Sequence, residues 1–242
     1  MYGVSDLYNT IIAETNHWFE TRIDINGTSY YESQLMSVGT AYRTFSEEQP
    51  TVGGCLSAEL EVKMLAPSAA IPRMAQVNPY IRATDGTQTS EWIPQGTFFI
   101  DTRETTQNDD GLDILTLHCY DAMLKAEQPY QDTSVGYPHT TGYVVRVIAK
   151  AMGLQSSASV WDGVDSRTQT LLTNTPYNIG LPIGFSMRET LGNIAAMYAG
   201  NWIMNYDGQL RLATLAELPE ETNYLVDSVY EAITFGGDRI LV

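Results

Sequence analysis

Basic residues are scarce in this sequence. Its 242 residues include 13 Lys and Arg against 29 Asp and Glu, a formal net charge of −16. A protein that holds a duplex neutralises phosphates with Lys and Arg on a basic face, so this balance argues against conventional DNA or RNA binding. An anionic lipid surface would repel the chain for the same reason. Residues 1–126 carry 17 acids and 7 bases and residues 127–242 carry 12 and 6, so no acidic tail explains the imbalance. Cysteine is nearly absent too. Cys55 and Cys119 cannot make a disulfide framework, their spacing matches no zinc site, and buried free thiols are the favoured reading over a bridge.

Other absences narrow the field further. The N-terminus Met1-Tyr2-Gly3-Val4-Ser5-Asp6 lacks the basic and apolar regions of a secretory signal. No apolar run approaches the ~20 residues that span a bilayer, so the expectation is a soluble chain with no membrane anchor. There is no phosphate-binding Gly-Lys-Ser/Thr loop, Gly-x-Ser-x-Gly elbow, His-Glu-x-x-His pair or calcium loop, so no catalytic, cofactor or metal site is assigned. His17, His118 and His139 fall in three different elements, and His118 and Cys119, adjacent on a strand, point to opposite faces.

What is present is ordinary globular material, 43% hydrophobic and 17% charged. Residues 5–15 predict a short helix capped by Ser5, with Leu7, Ile11 and Ile12 on one face. The period then changes to two. Phe19–Ile25 alternates as a strand with one wet face, Asn26-Gly27 supplies a type I′ turn, and Thr28–Leu35 returns. Asn26-Gly27-Thr28 also fits a glycosylation sequon, but the turn is the better reading. Leu56–Met64 is the clearest strand: Leu56, Ala58, Leu60, Val62 and Met64 face one way and Ser57, Glu59, Glu61 and Lys63 the other. Further strands are expected at Asn78–Thr84, at Trp92–Thr105 with a Pro94-Gln95-Gly96 interruption, and at Leu112–Tyr120.

Helical periods take over at Asp121. Ala122–Gln128 reads as a helical turn or two, and Thr141–Met152 as a helix stopped by Gly153. Ser186-Met187-Arg188-Glu189 is a capping box opening a helix that ends at Gly200, followed by a hairpin turning at Asp207-Gly208. Ser156–Pro182 reads mostly as loop. Beyond the polar linker Glu217–Thr222, Tyr230–Val242 predicts a strand, a Gly236-Gly237 turn and a second strand left unpaired, as if a longer protein continued there. The fold class is therefore α+β. An arm or helix covers residues 1–17, an antiparallel β-barrel or sandwich 18–120, a small α+β domain 121–218, and the beginning of a second β domain 219–242.

Two chemical readings of the acids and aromatics stand beside a purely structural one. Glu59 and Glu61, at i and i+2 on one strand face, are about 6 to 7 Å apart by rise and could form a hydrolase pair, although solvated strand-face carboxylates are the simpler account. Trp161 with Asp162 and Asp165 suggests a loop for receptor or carbohydrate binding, although a packed Trp is the commoner outcome.

The order of signals resembles a known family. Val52-Gly53-Gly54-Cys55-Leu56-Ser57-Ala58-Glu59-Leu60-Glu61-Val62 precedes Trp92-Ile93-Pro94-Gln95-Gly96-Thr97-Phe98-Phe99-Ile100-Asp101, and then Leu115-Thr116-Leu117-His118-Cys119-Tyr120-Asp121-Ala122-Met123-Leu124. This set resembles the N-terminal region of the tail hub (baseplate hub) proteins of bacteriophages and prophages. There a strand carrying "IG…S" leads to one ending "GxFxID", and another runs into "YDxM" at a helix start. Ile148-Ala149…Gly153-Leu154, Thr190-Leu191…Ile194-Ala195 and Asn205-Tyr206-Asp207-Gly208-Gln209-Leu210 continue the same order.

The resemblance implies a structural, non-enzymatic role. Hub subunits form homotrimers in which each contributes two tube-like β-barrels around an intervening α/β region, adapting a six-fold tail tube to a three-fold tip. Here residues 18–120 would be the first barrel, of tail-tube type, and 219–242 only the beginning of the second. The implied partners are the tail tube, distal tail proteins and the tail tip or spike, within a virion tail made in the bacterial cytoplasm. DNA would be passing cargo. An acidic lining repels phosphates so that a duplex can slide, and Glu20, Asp24, Glu59 and Glu61 are the candidate lumen-lining residues, an ordinary solvated exterior being the simpler account of the four.

Overall fold

The computed structural model describes residues 4–43, 51–132, 136–155 and 159–215, and the backbone of 234–235 and 238–239. The chain opens with α1 (Asp6–Ala13), capped by Ser5, whose hydroxyl accepts the Tyr8 N–H at 3.1 Å. Of the three apolar positions expected on its inner face only Ile11 is buried; Leu7 and Ile12 are exposed. Its two turns pack against the strand Gln76–Thr84 and bury only a narrow stripe. Glu91 ties the arm down by accepting both the N–H and the hydroxyl of Ser5.

Eight strands form one antiparallel sheet: β1 (Trp18–Ile25), β2 (Thr28–Tyr31), β3 (Leu35–Ala41), β4 (Glu59–Leu65), β5 (Gln76–Thr84), β6 (Ile93–Pro94), β7 (Phe98–Gln107) and β8 (Asp113–Asp121). Their order is β2-β1-β5-β7-β8-β4-β3, with β6 on β5. Asn26 and Gly27 both take positive φ, as the β1–β2 turn requires. The sheet is not closed into a barrel. Among the described residues β2 pairs only with β1 and β3 only with β4, so the sheet stays open at both ends and folds in a sandwich-like way. Alternation holds where it was legible: Ile23, Ile25, Leu60, Val62, Met64, Leu115, Leu117 and Cys119 enter one core.

Two strand expectations need correcting. Thr28–Leu35 is not one strand, because a turn at Glu32–Gln34 (Gln34 N–H to the Tyr31 carbonyl, 2.8 Å) separates β2 from β3. Leu56 lies outside β4, since residues 53–56 pair elsewhere.

The second half surrounds its own core. A 3-10 helix (Ala122–Glu127) leads through β9 (His139–Thr140) into α2 (Thr141–Ala151), α3 (Ser166–Asn174), β10 (Asn178–Ile179), α4 (Met187–Met197), and the hairpin β11 (Gly200–Met204) and β12 (Leu210–Thr214). Val144, Val145, Ile148 and Ala149 of α2 meet Leu191, Ile194 and Ala195 of α4 and Trp202, Leu210 and Leu212 of the hairpin. The capping box at Ser186 and Glu189 forms in both directions. The segment read as loop contains α3 and β10. Asp165 caps α3, and only Thr168 and Leu172 of that helix are buried, too sparse a stripe for periodicity to reveal. The left-handed residue after α4 is Ala199 (φ 51), not Gly200. Gly200 serves proximity instead: a Cβ there would stand 2.6 Å from the Ala213 carbonyl oxygen.

A short connection joins the two cores. Leading into β4, Gly53 donates to Gly200, Trp202 donates to Gly54 and Leu56 donates to Trp202, each at 2.8 Å, so residues 53–56 run along β11. The buried Asn201 amide accepts the Gly54 N–H at 2.8 Å and donates to the Thr51 carbonyl at 2.6 Å. Asp121 ends β8 and caps the 3-10 helix, accepting from Ala58 at 2.7 Å and Met123 at 2.9 Å. Near the C-terminus, β13 (Thr234–Phe235) and β14 (Asp238–Arg239) pair antiparallel, within the segment where a strand was expected; the Gly236-Gly237 turn lies outside the described residues. Glu217–Thr222 and Ile240-Leu241-Val242 lie outside the described residues.

Candidate functional site

The outward face of the sheet carries the four carboxylates singled out in the sequence. Ile23 and Ile25 turn inward on β1 and Leu60 and Val62 on β4, so Glu20, Asp24, Glu59 and Glu61 all point away from the apolar core. They form two groups. β5, β7 and β8 lie between β1 and β4, which separates the groups by four strand spacings, about 19 Å across the sheet.

Each carboxylate has a basic or imidazole neighbour. The β1–β5 register sets Glu20 opposite Arg82, which donates Nε at 2.7 Å and approaches with Nη2 at 2.6 Å. Arg22 reaches Asp24 along the same strand at 3.1 Å. Both guanidiniums also lie over the Trp92 ring, at 4.9 and 4.3 Å, and Arg22 lies over Tyr80 at 4.3 Å. Arg43 stands 3.6 Å from Glu59, and His118 Nδ1 stands 3.4 Å from Glu61, its register partner on β8. The Arg22–Arg82–Trp92 stack escaped the sequence reading. Its signal is weak, an alternating Arg on each of two strands with no local mark of which Trp would meet them.

The other candidate chemistry is dispersed. On an open strand face Glu59 sits half-buried and Glu61 exposed, engaged by different neighbours. Trp161 packs inward: a Cβ on Gly142 would come within 3.0 Å of its ring, and Arg146 covers its outer side at 5.0 Å. Asp165 is a helix cap. His17 bonds the Glu14 carbonyl at 2.7 Å, and His139 is stacked between Tyr137 and Tyr143. His118 faces outward and Cys119 inward, as adjacency on a strand requires. Among the described residues no group of three or more His, Cys, Asp or Glu is placed to hold a metal ion, and no helix is long and apolar enough to cross a membrane.

Burial shifts several groups without assembling a reactive one. Both cysteines are free; desolvation pushes each thiol up to about 12, with Arg188 partly opposing the shift at Cys55. Asp121 rises to about 6 because burial outweighs its two backbone N–H partners and nearby Arg188. It lines a pocket of about 200 Å³ at the joint of the two cores, together with Tyr42, Arg43, Tyr206 and Arg211. Desolvation, the neighbouring Tyr206 and then Asp121 raise the Tyr42 phenol, whose hydroxyl donates to the Gln95 carbonyl. Tyr130, Tyr137 and Asp132 form a hydrogen-bonded cluster, with the two hydroxyls 2.8 Å apart and Tyr137 donating to Asp132 at 2.7 Å.

No protein-family model and no curated protein matches this chain. Solved structures do. The 43 kDa tail protein of prophage MuSo2 from Shewanella oneidensis superposes with a TM-score of 0.53 at 13% identity, over 86% of this chain and 59% of that one. A tail protein from Neisseria meningitidis MC58 gives a TM-score of 0.50 at 13% identity, over 88% of this chain and 58% of that one. At that identity the likeness is one of fold. The chain spans just under six-tenths of the length of each.

Proposed function

We propose that this protein is a structural component of a phage or prophage tail and acts there as a hub, joining the tail tube to the tail tip around the DNA path. The observation that carries the proposal is the shared fold with two tail proteins over most of this chain. The collinear sequence motifs add to it, and the dispersal of the ionisable groups agrees with a scaffold more than with catalysis. On this reading the open sheet within residues 18–120 supplies the ring-forming unit and 121–218 the intervening unit. Three copies would make the ring, with tube, distal tail and tip proteins as neighbours in the virion.

The outward sheet face is the surface we assign to the DNA path. Arg22 and Arg82 are neutralised by Asp24 and Glu20 and stacked on Trp92, so neither guanidinium is free to hold a phosphate. Such a face lets a duplex pass. The test is electron microscopy of the full-length protein, with mass spectrometry of purified phage tails. Three-fold rings, and the protein in the tail fraction, are expected. A monomer at every concentration, absent from tails, would sink the proposal.

A further inference from the structure

We propose that an open groove along α2 binds an acidic polypeptide segment of a partner protein. The inward stripe of α2 is buried in the core. Its opposite stripe, Tyr143, Arg146, Val147 and Lys150, follows the i, i+3, i+4, i+7 spacing of a single helix face and lines a groove of about 510 Å³. Val160, 58% exposed, forms part of the other wall.

The groove is opposite in sign to the body that carries it. Net charge is −16 and only 13 residues are basic, yet two of them stand one turn apart here. None of the described residues lining the groove is acidic. Arg146 is held in place: its Nε donates to the Gly142 carbonyl at 3.3 Å, and its guanidinium lies between the Tyr143 and Trp161 rings at 5.9 and 5.0 Å. That arrangement leaves the terminal nitrogens of a preorganised fork for a carboxylate. Lys150 is exposed, about 6 Å further along the helix axis, and suits a second one.

The chemistry favours a peptide over a neutral sugar. A sugar could pair with Gln155 and Ser159, but no neutral ligand engages the charges of Arg146 and Lys150, which an acidic side chain does. Val147 and Val160 add apolar contact for a side chain between the two carboxylates. The net charge of −16 disfavours anions over the body as a whole, so two cations with no acid among the described lining residues are where an acidic ligand is best held.

The experiment titrates the full chain with a hexaglutamate peptide, reading tryptophan fluorescence and calorimetric heat, with hexaglutamine and inorganic polyphosphate as comparison arms. Saturable binding of hexaglutamate at low salt is expected, lost at high salt and absent for hexaglutamine. Lys150→Glu, which disturbs no packing, should weaken it by about tenfold or more. Arg146→Gln should act likewise, and Arg73→Gln, an exposed cation elsewhere, should not. No binding of hexaglutamate, equal binding of hexaglutamine, binding of polyphosphate alone, or binding unchanged by Lys150→Glu each overturns the proposal.

Discussion

Arg188 on α4 donates to the carbonyl oxygen of Cys55, 133 residues earlier in the chain. The same guanidinium donates to Ser57 Oγ and to the Met123 carbonyl, each at 3.2 Å, and pairs with Glu127 at 2.5 Å. One side chain therefore holds the entry to β4, the 3-10 helix and α4 together. Arg188→Ala removes all four of these contacts at once and should destabilise the protein by about 2–4 kcal/mol. Glu127→Gln removes only an exposed partner and should cost under about 1 kcal/mol. Urea unfolding of both variants checks the ranking, which fails if the two losses are equal.

Asp121 gives a pH dependence of definite sign. Its carboxyl is raised from 3.8 to about 6, mainly by burial. The folded state therefore keeps this proton to higher pH than the unfolded state does. The stability it contributes is complete below 3.8 and lost as pH rises through about 6, roughly 2–3 kcal/mol in all. Glu189 and Glu91 act in the opposite direction, their carboxyls lowered by hydrogen bonds from Ser186 and Ser5. The difference between wild type and Asp121→Asn isolates the group. It should change steadily between about pH 4 and 7; a flat difference would show that the carboxyl titrates normally.

Gly192 reverses the usual helix rule. In an open helix interior, Gly to Ala gains up to about 1 kcal/mol. A Cβ on Gly192 of α4 would stand 2.7 Å from the Gly53 carbonyl oxygen, where the segment leading into β4 crosses the helix. Gly192→Ala should therefore destabilise by about 1–3 kcal/mol. Gly39→Ala on β3 meets nothing within 4 Å and should be close to neutral. Thermal melts of the pair decide it, and a stabilised Gly192→Ala would refute the close approach.

These positions mark where the sequence was readable and where it was not. The alternation of Leu60, Val62 and Met64, the Asn26-Gly27 turn and the Ser186–Glu189 box are each specified within a few residues, and each appears in the fold. β3 was missed because Leu-Met-Ser-Val-Gly-Thr-Ala has small or neutral side chains on both faces and no polar alternation. α3 was missed because one cap and two buried residues carry it. The pairing of Glu20 with Arg82 depends on a register between strands 62 residues apart, which no local pattern encodes. The basic stripe of α2 was visible at its helical spacing, but attention to the apolar stripe alone passes over it.

Both thiols should be chemically silent in the folded protein. Burial pushes Cys55 and Cys119 up to about 12, so little reactive thiolate exists at neutral pH. A thiol reagent should label neither in the native state and both in denaturant. Fast native labelling of Cys119, which is 2% exposed, would mean that the sheet opens locally.

The outward ion pairs make the conduit reading testable by subtraction. Glu20→Gln together with Asp24→Asn removes the carboxylates that engage Arg82 and Arg22. The two guanidiniums then remain stacked on Trp92 with no acid to neutralise them. On the conduit reading a face that lets phosphates pass becomes one that holds them, and binding through two freed charges weakens with salt by a log–log slope of roughly −2. Fluorescence anisotropy with a short duplex should show no binding to wild type and weak, salt-sensitive binding to the double variant. If the variant binds no better than wild type, the pairs do not control phosphate contact, and the assignment of this face to the DNA path loses its physical basis.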